Sequence, residues 1–441
     1  MSRTPKLPPA LAILMNGRLV GRVERNGSRL SFIYDEHWRQ DQRNFPLSLS
    51  MPLTAAAHGH ETIKNWISGL LPDNERIIAR VANAHDVSPD NPYALIWKIG
   101  EDCPGATQFV EPENIGNLVE GGDIVWLTED QVADRLAELR RHGVERRHAE
   151  GNFSLPGAQP KTALVCLDGR WGVPSGRLPT TYILKPPIDD LEGHAENEVF
   201  CLALARKLGL AAAEADVLRF RDEIAISIKR YDRAPRGNGF VRVHQEDMCQ
   251  AMSVPPANKY ERDGGPGIRT IMRLLAWSTN PGADRTRFMD AIALNFLIYG
   301  SDAHAKNYSL LFGPPRRPGA SWEVRLAPLY DVASYLPYAT RLEDIRMPMK
   351  VGQHRHYEEI LPRHWEQMSA SCDYPTDEAV KQVIDMAERI PAAAAEVAAD
   401  LRDKGIDHPV LTTLVEMLHE RCEKVLRAWR AQMPVAAPGM G

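Results

Sequence analysis

Residues 297–312 read LIYGSDAHAKNYSLLF and run from an apolar segment through a polar loop into a second apolar segment. The loop holds Asp302 and Asn307 in the spacing Asp-x-x-x-x-Asn. In phosphoryl transfer, an aspartate at the first position accepts the proton of the attacking hydroxyl, and an asparagine at the second binds Mg²⁺ on ATP. The spacing alone is weak support, because it arises by chance in most chains of this length.

The residues that follow strengthen this interpretation. Residues 313–321 (GPPRRPGAS) favour a turn, residues 322–326 are typical of a strand, and Asp331 comes next in APLYDVAS. A hairpin formed by the two strands would bring Asp302, Asn307 and Asp331 to one end of the pair. Two carboxylates and a carboxamide there would suit a hard cation bound to a triphosphate. The alternative for Asp331 is a cap or turn residue after the strand.

Two further segments point to phosphate binding. Lys185 ends a predicted strand, where a lysine can contact the α- and β-phosphates while a carboxylate of the next helix, Glu198 or Glu196, holds it. A lysine on a solvated strand edge is the alternative. Upstream, SLPGAQPKT (residues 154–162) can present backbone N–H groups around Gly157 to phosphate oxygens. This loop matches neither of the generic glycine-rich phosphate motifs.

The N-terminal third predicts a β-meander followed by helices. Asn-Gly pairs at 16–17 and 26–27 separate apolar or alternating runs at 11–15, 19–24 and 29–34, and this dipeptide favours type I′ hairpin turns. A helix is predicted over 61–84 with an interruption near Pro72-Asp73. A second helix is predicted over 128–142, where Thr128 and Gln131 can form a capping box.

The rest of the chain predicts an α+β unit followed by a helical one. Strands are expected at 163–166, 182–184, 217–220 and 224–228, with a helix at 195–208. Beyond residue 268, helices are expected at 269–278, 285–299, 378–401 and 409–430. The order of strands and helix does not repeat as βαβ, so the pattern favours an α+β arrangement.

Composition narrows the class of protein without naming any chemistry. The chain has 441 residues, a net charge of −5 and 44% hydrophobic residues, as expected of a globular protein with several domains. Near-neutral charge disfavours coating of nucleic acid or an anionic membrane through bulk electrostatics. Six scattered cysteines form no metal-type spacing and are typical of reduced thiols, and no apolar run is long enough to span a bilayer. We therefore expect a cytoplasmic protein.

Eight segments, taken in chain order, carry a family resemblance: FSLPGAQPKTAL, TYILKPP, ENEVFCL, IKRYDR, VHQEDMCQAM, KYERDGGPG, SDAHAKNYSLLF and PLYDVAS. Together they resemble the HipA family, serine/threonine kinase toxins of bacterial toxin–antitoxin systems, over nearly the whole chain. The resemblance implies an α+β, bilobal protein-kinase-like fold. It divides the chain into an N-terminal β-rich subdomain (1–150), a kinase N-lobe with phosphate-binding loop and hinge (151–255) and a mostly helical C-lobe (256–441).

The resemblance also assigns roles to individual residues. It implies that Asp302 is the catalytic base, that Asn307 and Asp331 bind Mg²⁺, and that Ser154 is the autophosphorylated serine. ATP contacts are implied for Gly157, Ala158, Gln159, Lys161, Lys185, Lys229, Tyr231, His304, Lys306 and Asn307, with Glu198 and Asp232 in support. The general kinase triplets His-Arg-Asp and Asp-Phe-Gly are absent, because Ser301 precedes Asp302 and Val332-Ala333 follow Asp331. The generic signature therefore gives no independent support.

Partners follow from the family as well. The resemblance implies a HipB-like antitoxin dimer, operator DNA contacted mainly through that antitoxin, and no membrane. It implies an aminoacyl-tRNA synthetase as substrate, with glutamyl-tRNA synthetase the best-known target, and growth arrest or persistence as the outcome. The alternative is a largely inactive kinase fold that acts as a co-repressor by binding the antitoxin on operator DNA. Phosphorylation of a small molecule or a lipid is a third alternative.

Overall fold

The N-terminal part of the chain is built around one antiparallel sheet. The computed structural model describes residues 6–143, 153–237, 239–315, 317 and 320–432. The first sheet has the strand order β4-β3-β2-β1-β5. The elements of this part are β1 (Ala10–Met15), β2 (Arg18–Asn26), β3 (Arg29–Tyr34), α1 (Glu36–Gln40), β4 (Ala57–His58), α2 (His60–Leu70), α3 (Glu75–Ala84), α4 (Pro92–Ile99), β5 (Thr107–Val110) and α5 (Ile115–Glu120).

The predicted meander is confirmed, with a difference at its second turn. Met15 pairs with Arg18, and both Asn16 and Gly17 have positive φ angles (48° and 80°), as a type I′ turn requires. In the second turn Asn26 pairs with Arg29, so the turn residues are 27 and 28, and only Gly27 has a positive φ. The helix predicted over 61–84 is interrupted as expected, because α2 ends at Leu70 and α3 begins at Glu75.

The second part is a six-stranded antiparallel sheet of order β10-β11-β9-β7-β8-β6. Its helix α6 begins at the predicted capping box of Thr128 and Gln131. The sequence did not predict β6 or β8. The elements are β6 (Ile124–Trp126), α6 (Glu129–His142), β7 (Thr162–Leu167), β8 (Arg170–Pro174), β9 (Tyr182–Lys185), α7 (His194–Lys207), β10 (Ala215–Phe220) and β11 (Glu223–Lys229).

The predicted boundary between residues 150 and 151 lies outside the described residues, but the packing on either side is informative. β6 pairs with β8, and Val132 and Leu136 of α6 share a small apolar core with Leu164 and Leu184 of the second sheet. Residues 124–142 therefore pack with the sheet of the second part, although the prediction placed them in the first.

The third part is mostly helical and contains the largest apolar core. Its strands and helices are β12 (Arg233–Arg236), β13 (Gly239–Arg242), β14 (His244–Asp247), α8 (Met248–Ala251), α9 (Ile268–Leu275), α10 (Pro281–Leu297), β15 (Ser309–Gly313), β16 (Glu323–Leu326), β17 (Arg346–Val351), β18 (His354–His356), α11 (Pro362–Ser371), α12 (Thr376–Asp403) and α13 (Pro409–Arg430). The core joins α7, α10, α12 and α13. The predicted hairpin is confirmed, because β15 and β16 pair antiparallel and hold the two flanking loops at one end.

A buried ion-pair network joins the first part to the segment after β11. Asp102 forms ion pairs with Arg230, Arg233 and Arg242, with N–O distances of 3.3, 2.9 and 3.0 Å. Asp232 pairs with Arg230 at 2.8 Å and with Arg233 at 2.9 Å. All five side chains are buried. The network fixes residues 230–233 against the N-terminal sheet.

Within the described residues, no helix combines the length and the apolar character that a membrane span requires.

Candidate active site

A cleft between the six-stranded sheet and the helical part collects most of the predicted site residues. Its walls come from the loop before β7, the end of β9, the segment after β11 and the loops flanking β15 and β16. The predicted residues that line it are Gly157, Ala158, Lys161, Lys185, Lys229, Tyr231, Asp232, Asp302, His304, Lys306, Asn307 and Asp331. Gln159 and Glu198 line an adjoining cavity that also reaches Asp302 and Asp331.

Lys185 lies buried between two carboxylates. Its Nζ is 2.8 Å from Glu198 Oε1 and also contacts Asp331 Oδ1. The sequence left the choice between Glu196 and Glu198 open, and Glu198 is the partner found. Although burial opposes the charge of Lys185, Asp331 and Glu198 raise its pKa above the ordinary value. Burial likewise opposes the charge of Asp331, but Lys185 and Lys161 hold the pKa of this carboxyl well below its usual range. The lysine therefore carries a fixed positive charge in the cleft.

The loop between α10 and β15 places Asp302, the predicted base, close to Asn307, a predicted metal ligand. Asn307 Nδ2 donates to the backbone oxygen of Asp302 at 2.7 Å, which closes the loop. The Asn307 amide oxygen has no hydrogen-bond donor among the described residues, and Asp331, at φ 55°, keeps its second oxygen off Lys185. The Asp302 side chain is 70% exposed, so it can meet an incoming hydroxyl group.

These oxygens fit a magnesium ion that is held partly by nucleotide phosphates. The described residues contain no group of three or more His, Cys, Asp or Glu side chains that could hold a metal by themselves. Mg²⁺ is usually bound by one or two carboxylates together with waters and substrate phosphates. Asn307 and Asp331 would therefore hold Mg²⁺ only together with the nucleotide.

The loop before β7, which is predicted to cradle phosphate, is held in place by contacts from two of its own side chains. Gly157 has a φ of 109°, and a Cβ there would lie 2.4 Å from Lys161 Nζ. Lys161 Nζ donates to the backbone oxygen of Pro156 at 2.5 Å, and Gln159 Nε2 donates to the backbone oxygen of Pro186 at 2.7 Å. Burial, reinforced by the charge of Lys185, lowers the pKa of Lys161 to about 8 although Asp331 opposes the shift.

Ser154 lies outside the cleft in this structure. Its hydroxyl is fully buried and donates to the backbone oxygen of Leu70 at 2.8 Å. Its N–H donates to the backbone oxygen of Asp102 at 2.9 Å. The serine is thus clamped between two segments of the N-terminal part, and its hydroxyl cannot meet a nucleotide unless the segment moves.

The predicted hinge contributes backbone and one aromatic ring. The Lys229 side chain is 53% exposed and pairs with Glu214 at 2.9 Å, so its ammonium group does not enter the cleft. The Tyr231 ring lies on the cleft wall, 5.9 Å from the ring of Tyr330. Asp232 supports the hinge from behind, because it accepts the N–H of Gly105 at 2.7 Å.

His304 and Lys306 lie in the same loop but carry different charges. Burial lowers the pKa of His304 to about 4, so its imidazole is neutral at pH 7. Lys306 is buried as well, but Asp247 and Asp73 overcome the effect of burial and raise its pKa. Lys306 is therefore the cation of this loop.

Tyr260 is a site residue that the sequence analysis did not single out. Its hydroxyl donates to Asp302 Oδ1, and its ring meets the His304 ring edge-on at 4.9 Å. The sequence could have indicated this residue, because Tyr260 belongs to the KYERDGGPG segment that carries the family resemblance. Tyr260 thereby orients the carboxylate of Asp302.

Replacing Tyr260 by Phe should lower kcat about fivefold and leave the KM for ATP unchanged. The change removes one hydrogen bond to the Asp302 carboxylate, worth about 1 kcal/mol at a partly exposed site, and keeps the ring. Steady-state phosphoryl-transfer kinetics measure both constants. Tyr182→Phe is the matched control, because the described residues offer the Tyr182 hydroxyl no hydrogen-bond partner and its ring packs on Trp171. A wild-type kcat in Tyr260→Phe would contradict this role.

Glu246, in the VHQEDMCQAM segment, is a buried carboxyl beside the cleft. Its Oε1 accepts the N–H of Leu49 at 2.8 Å, and its Oε2 has no hydrogen-bond partner in the part of the chain that the structure describes. Burial raises the pKa of Glu246 to about 8 from an ordinary value of 4.5. The group is therefore protonated in the folded protein at neutral pH.

Glu246→Gln should stabilise the protein more at pH 8 than at pH 5. Between pH 4.5 and about 8 the unfolded chain has lost the Glu246 proton while the folded chain keeps it, so rising pH lowers the free energy of unfolding of the wild type. An uncharged amide removes this dependence. Denaturant unfolding at both pH values measures the difference, with the exposed Glu24→Gln as control. An effect of equal size at the two pH values would contradict the assignment.

Comparisons with known proteins cover most of the chain. Residues 153–394 match the family model of the HipA-like C-terminal domain, and residues 11–110 match that of the HipA N-terminal domain. The chain is 31% identical over 427 residues to "Putative kinase Y4mE" of Sinorhizobium fredii, covering 94% of this chain and 98% of the relative. It is 27% identical over 444 residues to the serine/threonine-protein kinase toxin HipA of Shewanella oneidensis, covering 96% and 97%.

A solved structure supports the fold. HipA of Shewanella oneidensis MR-1, in complex with HipB and its operator DNA, superimposes with a TM-score of 0.80 and 24% identity and covers 95% of this chain and 97% of that one. The α+β, bilobal kinase-like fold predicted from sequence is thereby confirmed. Family models that cover both the N-terminal sheet and the cleft, together with full-length relatives, lead to one conclusion: the chain belongs to the HipA family.

Proposed function

We propose that this chain is an ATP- and Mg²⁺-dependent serine/threonine protein kinase toxin of a HipBA-type toxin–antitoxin system. The observation that carries the proposal is Lys185 fixed between Glu198 and Asp331 in the cleft that also holds Asp302 and Asn307. Phosphoryl transfer needs little covalent chemistry from the protein, so positioned cations and a base meet its main requirements.

In this mechanism each residue does one task. Asp302 accepts the proton of the acceptor hydroxyl, while Lys185 and Lys306 place positive charge against the nucleotide phosphates. Backbone N–H groups around Gly157 approach the phosphates, and the backbone after β11 approaches the adenine. When bound, Mg²⁺ neutralises charge on the β- and γ-phosphates, and Asn307 and Asp331 would hold it.

The acceptor enters from the adjoining cavity, which Asp302 also lines. This cavity is lined by apolar and aromatic side chains, among them Ile188, Leu191, Tyr335 and Tyr338. Polar side chains such as Gln159, Asn295 and Ser334 complete the lining, and an open cavity of this mixed kind suits a loop of a folded protein that presents a serine or threonine. We propose an aminoacyl-tRNA synthetase as this protein, glutamyl-tRNA synthetase first among them. Its inhibition would stop translation and lead to growth arrest or persistence.

We propose autophosphorylation of Ser154 as the off-switch. A phosphate carries about −1.5 to −2 charges at pH 7 and cannot remain in the buried position where Ser154 now donates to the Leu70 carbonyl. Modification therefore requires the loop around Gly157 to leave the N-terminal part. That movement would remove the phosphate cradle.

We extend the partners of the Shewanella oneidensis relative to this chain. That protein was solved with HipB and operator DNA. A HipB-like antitoxin dimer is proposed here, with DNA contacted mainly through it, because the net charge of −5 gives the chain itself little attraction for DNA.

Phosphoproteomics after brief expression tests the proposal. Cells expressing the native chain should gain a phosphosite on one aminoacyl-tRNA synthetase and on Ser154, and cells expressing Asp302→Asn should gain neither. No difference between the two samples, with Ser154 shown by mass to be unmodified, would reject the kinase and favour a co-repressor that acts by binding the antitoxin.

A further inference from the structure

A short segment of the N-terminal part, residues 69–73 at the end of α2 and in the loop before α3, contributes Gly69 and Asp73 to the cleft. The Asp73 carboxylate is 2.6 Å from Lys306 Nζ through Oδ1 and 3.1 Å from Lys259 Nζ through Oδ2. The side chains of Asp73, Lys306 and Lys259 are 8%, 3% and 17% exposed. One buried carboxylate of the first part thus joins two cations of the third.

The two lysines belong to the two segments that contact Asp302. Lys306 belongs to the same loop as Asp302, whose closure is fixed by Asn307. Lys259 precedes Tyr260, which donates to the Asp302 carboxylate. Asp73 therefore contacts both segments that place the proposed base, although it is more than 180 residues from each in sequence.

The backbone of the same segment holds the loop around Gly157. The N–H of Asp73 donates to the Gly157 oxygen at 3.1 Å, and Pro72 and Gly157 form a parallel bridge. The Leu70 oxygen accepts the Ser154 hydroxyl. Three segments of the cleft therefore meet at Asp73. Its backbone contacts the loop around Gly157, and its side chain contacts the loop of Asp302 through Lys306 and the segment of Tyr260 through Lys259.

The charge of Asp73 is maintained despite burial. Burial disfavours the ionised carboxyl, but Lys306 and Lys259 outweigh it and lower the pKa of Asp73. Asp73 differs from an ordinary ion pair between two domains in two respects, because it binds two cations and because it lies in the cleft. Asp73 lines the cleft itself, beside Lys306 and Asp302.

We infer that Asp73 is a positioning residue of the active site, which sets the loop of Asp302 through Lys306 and the segment of Tyr260 through Lys259. The inference rests on the proposed kinase function and extends the site to the N-terminal part. A displacement of about 1 Å in a catalytic group can lower the rate about 100-fold. Loss of this link should therefore lower kcat and leave nucleotide binding nearly intact.

Asp73→Asn tests the inference in the full chain. We expect kcat for phosphoryl transfer to fall about tenfold, while the KM for ATP stays within about threefold of the wild type. Asp73→Glu, which restores the charge on a longer side chain, should recover part of kcat. Asp41→Asn is the matched control, because Asp41 pairs with Arg18 and Arg43 in the same part of the chain, far from the cleft. Thermal denaturation identifies the temperature at which each variant is fully folded.

Amide hydrogen exchange gives a readout that does not need activity. Residues 300–308 should exchange faster in Asp73→Asn than in the wild type, and at the wild-type rate in Asp41→Asn. If the wild type transfers no phosphate but exchange rises in Asp73→Asn alone, the proposed function fails and the positioning role stands. If the wild type is active and Asp73→Asn keeps both its kcat and its exchange rate, the inference is overturned.

A second variant tests the inference if Asp73→Asn does not fold. Lys259→Met removes the more exposed of the two cations and leaves the Asp73–Lys306 pair in place. We expect kcat to fall at least threefold and exchange of residues 300–308 to rise. Wild-type values for both would overturn the inference.

Discussion

Replacing Asp302 by Asn is expected to lower kcat for phosphoryl transfer by about 10²–10⁴-fold, the range that a general base contributes. The amide cannot accept the proton of the acceptor hydroxyl, yet it has the same shape and can still accept the Tyr260 hydroxyl. Single-turnover transfer from γ-labelled ATP measures the loss. The proposed growth arrest on expression of the native chain should disappear with it.

The fold and the nucleotide site should survive this change. The Asp302 side chain is 70% exposed and its backbone oxygen still accepts Asn307 Nδ2 at 2.7 Å, so the free energy of unfolding should change little. Stabilisation by Mg²⁺ and ATP in a thermal-shift assay should also be retained. Asp263→Asn, an exposed carboxylate paired with Arg262 nearby, serves as control. Labelling by Asp302→Asn at the wild-type rate would show that another group is the base.

Replacing Lys185 by Met is expected to damage both catalysis and folding. The lysine is the shared cation of Glu198 and Asp331, and its removal leaves a buried carboxylate without its charge partner. Breaking a buried pair in this way costs about 3–5 kcal/mol of folding free energy. Loss of the phosphate-binding charge should lower kcat/KM for ATP at least about 100-fold. Unfolding curves and steady-state kinetics measure the two effects.

The stability loss in Lys185→Met should grow as the pH rises. Burial already raises the pKa of Glu198, and without Lys185 this carboxyl will stay protonated in the folded chain to still higher pH. The unfolded chain ionises near the ordinary value of 4.5, and the wild type itself loses stability from there up to the raised pKa of its folded Glu198, so the loss relative to the wild type grows with rising pH above that raised pKa. Lys229→Met is the matched control, since its ion pair with Glu214 is exposed and worth at most about 1 kcal/mol. Nucleotide binding and kcat/KM within threefold of the wild type would contradict the role of Lys185.

Elements defined by local patterns were well predicted from the sequence. The helix predicted over 409–430 is observed at Pro409–Arg430, and the Asn16-Gly17 turn has the expected backbone angles. In each case a cap, a turn dipeptide or a long apolar stripe lies within the element itself. β8 (Arg170–Pro174) was missed because it is short and contains Gly172, a residue with low strand propensity.

Site residues with a mechanistic spacing were also predicted. Asp302, Asn307 and Asp331 meet in the cleft because β15 and β16 form the expected hairpin, and Lys185 pairs with Glu198 as expected. The roles of these residues stay predictions. The sequence analysis did not predict Asp73, Lys259 and Tyr260 as site residues, because they join the site only through contacts between distant segments. Asp73 and Lys306, for instance, are 233 residues apart. No local pattern around Pro72-Asp73 could predict an ion pair with a residue as distant in sequence as Lys306.

The buried network around Asp102 makes the rest of the chain depend on the N-terminal part. Among the described residues, Asp102 is the sole carboxylate partner of Arg242 and shares Arg230 and Arg233 with Asp232. Without the N-terminal part, Arg230, Arg233 and Arg242 would lose Asp102, and Asp232 would be the one acid left to them in this network. The N-terminal part is thus coupled to the segment after β11 by buried charge, and its removal would leave these arginines short of carboxylate partners.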